Sequence, residues 1–295
     1  MGIFLEPFVR NAFLASTLAA VCAGVIGYFV VLRRLSFASH ALAHVGFTGA
    51  AGAVLLGVDV VFGTLLFTVA TGVGMGVLGD KLRGRDTAIG TTLAFTMGLG
   101  LLFLYLSTKM ASMATNILFG DVLAVSDRAV LLSLVFAIIS LATMAVIYRP
   151  LLFASVDPEV AAVRGVPVRL LGLVFMVLLA WTVAQAVQVV GVLLIFALMV
   201  TPAAAAQHLT ARPALGMAWS VALAVISVWA GLALGFLPPY YPPSFYITAI
   251  SFLLYIAARG LVPGVGSARR RSVRAIQPSG AAEVRVMQTV EAPHL

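Results

Sequence analysis

The chain has 295 residues, of which 62% are hydrophobic and only 9% are charged, and its mean hydropathy is +1.12. Soluble domains carry about a quarter charged residues, so this composition excludes a soluble globular protein and predicts an all-α polytopic membrane protein. The net charge of +8 does not predict nucleic-acid binding, because the basic residues lie between apolar runs and not on one soluble face.

Apolar runs of about the 17–25 residues that a helix needs to cross hydrocarbon recur along the chain. We predict about eight or nine spans, at about 11–32, 41–58, 60–79, 88–107, 129–148, 170–188, 190–209, 214–236 and 244–258. With nine spans and the N-terminus outside, all Lys and Arg except Arg10, Lys109 and Arg128 face the cytoplasm. This asymmetry follows the positive-inside rule and predicts a multi-pass plasma (inner) membrane protein with a cytoplasmic C-terminus.

A pair of histidines near the start of the second span is the first chemical feature. His40 and His44 are four residues apart, so on a helix both imidazoles project from one face, one turn apart. This spacing is typical of metal ligands. The alternative interpretation is a helix start whose two polar side chains are satisfied locally.

The stretch 108–127 does not fit either a span or a loop. It is too polar to cross the membrane fully, yet its segments 117–120 and 122–125 are too apolar for an ordinary solvated loop. The sequence therefore predicts a re-entrant or interfacial element here.

A short helix is predicted within 149–169, the longest internal cytoplasmic connection. Asp157 is typical of an N-cap, Pro158 of the first helical position and Glu159 of an acid in the first turn. Gly165 ends this helix after about two turns. Such a helix is able to dock a soluble partner, and the alternative is a connector that lies on the membrane surface.

Three further features fall in the C-terminal half. His208 lies near the cytoplasmic end of the seventh span, where it could assist metal exit; the alternative is a solvated boundary histidine. Gly191 and Pro202 interrupt the same span, and broken helices line some transport paths, whereas the alternative is a packing kink. Residues 260–295 are rich in Gly, Ser, Pro and Arg without periodicity, which predicts a disordered cytoplasmic tail.

Four segments, taken together, resemble the permease subunit of ABC importers for zinc, manganese or iron ions. They are 29–49, 117–125, 157–166 and 190–204, and the match spans most of residues 10–258. The resemblance implies a binding-protein-dependent importer fold in which residues 1–259 form the transmembrane permease domain. It also implies a homodimer, an extracytoplasmic metal-binding protein and cytoplasmic ATPase subunits. The ATPase is expected to contact Asp157, Pro158, Glu159, Arg164 and Gly165.

The chain departs from the family pattern at one position. The family motif places an aspartate four residues before a histidine, and this pair is thought to contact the passing ion. His44 matches the histidine, while His40 stands at the aspartate position. Because imidazole replaces a hard oxygen with a borderline nitrogen, we expect zinc to be favoured over manganese or iron, with both histidines as transient ligands and no tightly bound cofactor.

Two rival function classes are weighed against this expectation. A zinc peptidase of the H-E-x-x-H type is excluded, because Ala41 stands where the glutamate base would be. An ion-coupled secondary metal transporter without an ATPase is the alternative, but such carriers keep an acid at membrane depth and no acid falls within the predicted spans. The chain has no Gly-Lys dipeptide and hence no P-loop, so ATP hydrolysis is expected in a separate subunit and not in this chain.

Overall fold

The described part of the computed structural model is entirely helical apart from its connections. It covers residues 7–79, 85–107, 120, 125–237 and 242–261, and these residues contain no strand. The ten helices found there are α1 (Pro7–Leu32), α2 (Ser36–Leu55), α3 (Val60–Gly79), α4 (Arg85–Leu106), α5 (Asp127–Val156), α6 (Pro158–Val163), α7 (Val168–Val190), α8 (Val192–Leu209), α9 (Pro213–Gly235) and α10 (Pro243–Leu261). The predicted all-α fold is confirmed.

Seven of these helices are long and apolar enough to cross a membrane: α1, α3, α4, α5, α7, α8 and α9. The two other long helices, α2 and α10, are not among these seven. Helix α2 lies against α3, α4, α7 and α8, and its buried residues run almost continuously from Ala38 to Ala53. A helix surrounded by protein needs small side chains for close contact more than it needs lipid-soluble ones.

Polar contacts define the two ends of the helix bundle. At one end, Asn11 Nδ2 at the start of α1 donates to Asp127 Oδ1 at the start of α5, at 2.7 Å. At the other end, the Arg33 guanidinium after α1 lies 5.5 Å from the ring centroid of Phe175 on α7, and its Nη1 lies 3.5 Å from Ser155 Oγ on α5. Helices α1 and α5 therefore run parallel, and α7 runs antiparallel to both.

Small residues bring the central helices into direct backbone contact. Ser220 Oγ on α9 donates to the carbonyl oxygen of Gly24 on α1 at 2.8 Å. A Cβ atom at Gly24 would lie 2.6 Å from Val221 Cα, so only glycine fits there. Close approach through small residues and interhelical hydrogen bonds is the usual way in which membrane helices associate.

The helix boundaries differ most from the predicted spans at two places. Helix α2 begins at Ser36, five residues before the predicted span, because the Leu35 amide bonds to Val30 O at 2.8 Å and the chain reverses at once. Helix α5 continues through Pro150 to Val156, where the predicted span ended at residue 148. The added turns are held by packing, since Leu151 is fully buried. The predicted connection 149–169 is correspondingly shorter.

Several sequence predictions fall outside the described residues. They include the tail beyond residue 261 and most of the stretch 108–127. In that stretch Gly120 is described, with a φ of 73°, and its backbone packs against the junction between α7 and α8 at Val190 and Gly191. Gly191, predicted to interrupt the seventh span, lies between α7 and α8, and Pro202 lies inside α8.

Candidate functional site

Helix α2 carries the histidine pair and is fixed on several sides. Thr48 Oγ1 donates to Thr96 O on α4 at 2.7 Å, which ties α2 to α4. On the opposite side, Gly46 faces Thr64 and Thr68 of α3, whose side-chain atoms lie 3.6 Å from the position of a Cβ at Gly46. The face of α2 that carries the two histidines is therefore set by its packing and not by local loop structure.

His40 and His44 come together as their spacing predicted. Their ring centroids are 4.6 Å apart and the rings meet edge to face at 83°. Phe196 of α8 packs against His40 at a centroid distance of 4.7 Å. Both histidines are half-buried, and neither buried Nδ1 atom has a hydrogen-bond partner among the described residues. The alternative interpretation was a helix start whose two polar side chains are satisfied by local hydrogen bonds. The two Nδ1 atoms make no such hydrogen bond among the described residues.

The pair offers two imidazole ligands and no more within this part of the chain. No group of three or more His, Cys, Asp or Glu side chains suited to a metal occurs in the described residues. A structural zinc site is normally closed by four ligands, whereas an incomplete set leaves positions for water or substrate. The pair by itself supplies two of the four positions of a tetrahedral site.

His208 lies apart from the pair. It is half-buried in the last turn of α8, with its ring centroid 5.9 Å from that of Tyr255 on α10. Twelve residues separate it from Phe196 on the same helix, which is about 18 Å at the helical rise of 1.5 Å per residue. The structure therefore does not bring His208 into the site that His40 and His44 form.

The predicted short helix is present as α6, with its caps. Asp157 Oδ1 accepts a hydrogen bond from the Val160 amide at 3.0 Å, and Pro158 occupies the first turn. Gly165 follows with a φ of 81°, a conformation that glycine adopts without strain. The helix is six residues long, where about two turns were predicted. Asp157, Pro158, Glu159, Arg164 and Gly165 are all exposed.

Sequence reasoning missed polar residues on two neighbouring helices. Gln185 and Gln188 are three residues apart on α7, and Gln188 Nε2 donates to Thr64 Oγ1 on α3 at 2.9 Å. Two glutamines one turn apart inside an apolar span are unusual, and this spacing is the signal that would have found them. The contact of Phe196 with His40 has no comparable signal in the sequence.

These observations define a class: a multi-pass helical membrane protein with a half-buried histidine pair on one of its packed helices. The chain belongs to the ABC 3 transport family, whose model matches residues 6–260. The resemblance to the permease subunits of metal-ion ABC importers is thereby confirmed.

Relatives and a solved structure agree with this membership. The chain is 33% identical to the manganese transport system membrane protein MntC of Listeria innocua, over 71% of this chain and 75% of that protein. It is 31% identical to the manganese import system permease protein ScaB of Streptococcus parasanguinis, over 70% and 73% of the two chains. The structure of PsaBC from Streptococcus pneumoniae in complex with Fab has a TM-score of 0.79 at 26% identity, and the match covers 89% of this chain and 94% of that chain. The predicted importer permease fold is confirmed.

Proposed function

We propose that this chain is the membrane-spanning subunit of an ATP-driven importer of a divalent transition-metal ion, with His40 and His44 as transient ligands. The observation that carries the proposal is the edge-to-face pair, whose two Nδ1 atoms are buried without a partner in the described residues. Leaving a buried polar atom unpaired costs about 1–3 kcal/mol, and a bound ion is one of the groups that removes this cost. His208 is proposed only as a secondary contact on the way out, because it lies apart from the pair.

Manganese is the proposed cargo. Both relatives reported above, MntC and ScaB, are named for manganese transport. Neither supports the zinc preference that the sequence predicted. The chemistry of position 40 still matters, because a second imidazole is a better ligand for zinc-like ions than for manganese. We therefore propose a manganese importer in which His40 allows zinc to compete.

The ATPase subunit is proposed to bind at α6. Val163 is 90% exposed and Val160 is 45% exposed, beside the charged side chains of Glu159 and Arg164. Exposed valines with a charged rim suit a protein partner better than water. ATP hydrolysis then belongs to that partner, and no catalytic role is proposed for this chain.

Further partners follow from the proposed transport cycle. An extracytoplasmic binding protein delivers the ion, and a second copy of the permease completes a homodimer. A second copy would also provide another His40 and His44, which is one way to complete the ligand set. Lipid surrounds the exposed apolar helices, and no nucleic acid is involved.

The proposed orientation places the N-terminus outside. Among the described residues, Arg33, Arg164 and Arg212 follow or precede helices at one end of the bundle, whereas Arg10 and Arg128 lie at the other. The end with more basic residues is proposed to be cytoplasmic. This choice puts α6 on the side where ATP is available.

An ion-coupled carrier without an ATPase is the less favoured alternative. The described acids are Asp59, Asp86, Asp127, Asp157 and Glu159, and all five are exposed near helix ends. Carriers of that class need an ionisable group at membrane depth to bind the coupling ion.

The test is uptake into proteoliposomes that contain the permease, its ATPase and its binding protein, with manganese, zinc and iron in competition. Uptake that needs ATP and is strongest for manganese is expected, whereas uptake without ATP would contradict the proposal.

A further inference from the structure

Phe196 brings a second helix into contact with the histidine pair. Its ring centroid lies 4.7 Å from that of His40, and the two ring planes meet at 65°. His40 therefore has ring contacts with His44 on its own helix, α2, and with Phe196 on α8. Aromatic contacts of this kind contribute enough free energy to change an equilibrium by roughly two- to tenfold.

The orientation of the His40 ring decides where its nitrogen atoms point. Rotation of a histidine ring about the Cβ–Cγ bond is only weakly restricted by the side chain itself. In most metal sites a hydrogen bond to the ring nitrogen that does not hold the metal fixes this rotation. Nδ1 of His40 is buried and makes no hydrogen bond among the described residues. The packing of the ring against its aromatic neighbours therefore takes a larger part in setting its orientation.

The break between α7 and α8 determines which side chain α8 presents to the pair. Gly191 has a φ of 83° and a ψ of 164°, a conformation that is essentially restricted to glycine, and α8 begins directly after it. Leu194 and Ile195 in the first turn of α8 are buried, whereas Phe196 is only half-buried. Helix α8 also packs against α2. The position of Phe196 thus follows from where α8 begins.

We propose that Phe196 is a positioning residue for the metal site, whose ring holds the His40 imidazole in the orientation in which it contacts the ion beside His44. The inference rests on the proposed function, because it needs an ion that binds to the pair. The phenyl ring has no hydrogen-bonding or ligand atom of its own, so the proposed effect on metal binding acts through His40. A direct contact between the ring face and the ion is the competing explanation, and it would survive the loss of His40.

The test is a double-mutant cycle on Mn²⁺ affinity, measured by electron paramagnetic resonance of the purified permease–ATPase complex. Leucine at position 196 removes the ring and keeps an apolar side chain. We expect Phe196→Leu to weaken Mn²⁺ binding about fivefold when His40 is present and to have no further effect in the His40→Ala background. An equal loss in both backgrounds, or no loss in either, would overturn the inference.

A spectroscopic readout reports on the ligand itself. Pulsed electron paramagnetic resonance detects the coupling between Mn²⁺ and a directly bound imidazole nitrogen. Phe196→Leu should weaken the same nitrogen coupling that His40→Ala removes, and it should leave unchanged the coupling to His44 that remains in His40→Ala. A general loss of stability would not select one of the two imidazoles. Nitrogen couplings in Phe196→Leu that match the wild type would contradict the positioning role.

Two further variants at position 196 separate the ring from the space that it fills. Phe196→Tyr keeps the ring and is the rescue variant, with an expected Mn²⁺ affinity within about twofold of the wild type. A loss in Phe196→Tyr as large as that in Phe196→Leu would show that the ring contact is not responsible. Phe196→Met fills a similar volume with a flexible side chain and serves if Phe196→Leu does not fold. It should also lose about fivefold in affinity, and wild-type affinity in Phe196→Met would overturn the inference.

Phe136→Leu is the matched control. The Phe136 ring lies 4.7 Å from that of Trp181, so the same substitution removes an aromatic contact of the same centroid distance between α5 and α7. Neither residue belongs to the histidine pair, and Mn²⁺ affinity should stay at the wild-type value. A loss equal to that of Phe196→Leu would assign the effect to general loosening of the bundle and would overturn the inference.

The wild-type protein separates this inference from the proposed function. If the wild-type complex shows no imidazole coupling to Mn²⁺ and the reconstituted transporter imports no divalent metal, the proposed function fails, and the positioning role fails with it. If the wild type imports manganese and Phe196→Leu equals it in Mn²⁺ affinity and in nitrogen coupling, only the positioning role fails.

Discussion

His40 and His44 face each other within α2 with ring centroids 4.6 Å apart, and Phe196 of α8 packs against His40 with its ring centroid 4.7 Å away. Both imidazoles are half-buried, and His40 also contacts a second helix. Because α2 is held by Thr48 against α4 and by Gly46 against α3, its rotation about its own axis is fixed. A packed helix that cannot rotate gives the two imidazoles a defined position on the proposed transport path.

The substitution His40→Asp should change which metal is carried. A carboxylate oxygen favours manganese over zinc relative to an imidazole nitrogen. We expect the ratio of zinc to manganese uptake to fall by about tenfold, which corresponds to about 1.4 kcal/mol in relative affinity. The measurement is competitive uptake in proteoliposomes. His40→Asn, which has the shape of aspartate without its charge, separates loss of the ring from gain of the carboxylate, and an unchanged ratio in His40→Asp would remove the selectivity argument.

Glu159→Arg should weaken capture of the ATPase subunit. The side chain is exposed in the first turn of α6, where an acid also interacts favourably with the helix N-terminus. Reversal of the charge removes that interaction and alters the rim of the proposed contact. Asp86→Arg is the matched control, because Asp86 is an exposed acid in the first turn of α4, outside the proposed contact. Copurification of the ATPase should fall for Glu159→Arg alone, and equal recovery with both variants would leave α6 as a connector.

Gly165→Ala should loosen the end of α6. The φ of Gly165 is 81° and a Cβ there would meet no other atom within 4 Å, so the cost is conformational strain and not a clash. Alanine in this region costs about 1 kcal/mol, which corresponds to about fivefold faster exchange of locally protected amides. The amide of Val166, which donates to Ala161 O at 3.0 Å, is the one to follow by hydrogen exchange. Gly165→Asn should exchange more slowly than Gly165→Ala, and equal protection in wild type and Gly165→Ala would contradict the strain.

Gly24→Ala should destabilise the contact between α1 and α9. The new methyl would lie 2.6 Å from Val221 Cα, a backbone atom, so the helices must separate and the hydrogen bond from Ser220 is strained. Overpacking of this kind typically costs about 1–3 kcal/mol. Gly98→Ala in α4 is the control, because a Cβ at Gly98 would meet nothing within 4 Å. Thermal unfolding in detergent should shift downward only for Gly24→Ala; equal melting temperatures would show that the helices accommodate the methyl group.

Local sequence chemistry predicted the short elements better than the long ones. The cap residues of α6 predicted both of its ends. An Asp side chain, a proline and a glycine each influence the conformation of the adjacent backbone, so their effect can be read from the local sequence. The start of α2 was misplaced because hydropathy counts apolar residues, whereas Ser39 is buried and His40 packs against Phe196 of another helix. The end of α5 was misplaced for the same reason, since Leu151 is buried beyond Arg149.

The histidine pair was predictable from its spacing, whereas its surroundings were not. A separation of four residues puts two side chains on one helix face wherever that helix lies. The contact between Gln188 and Thr64 joins residues 124 positions apart, and that between His40 and Phe196 joins two different helices. Such contacts depend on how the bundle assembles, which periodicity within one helix does not specify.

The most direct test of the account is ATP-driven manganese uptake by the H40A/H44A variant, reconstituted with its ATPase and its binding protein. Removal of both imidazoles takes away the two proposed ligands, while alanine keeps α2 helical and leaves α6 unchanged. We expect uptake to fall by about 100-fold or more while ATPase copurification stays at the wild-type level. Manganese flux at the wild-type rate in this variant would contradict the proposal that His40 and His44 bind the ion in transit.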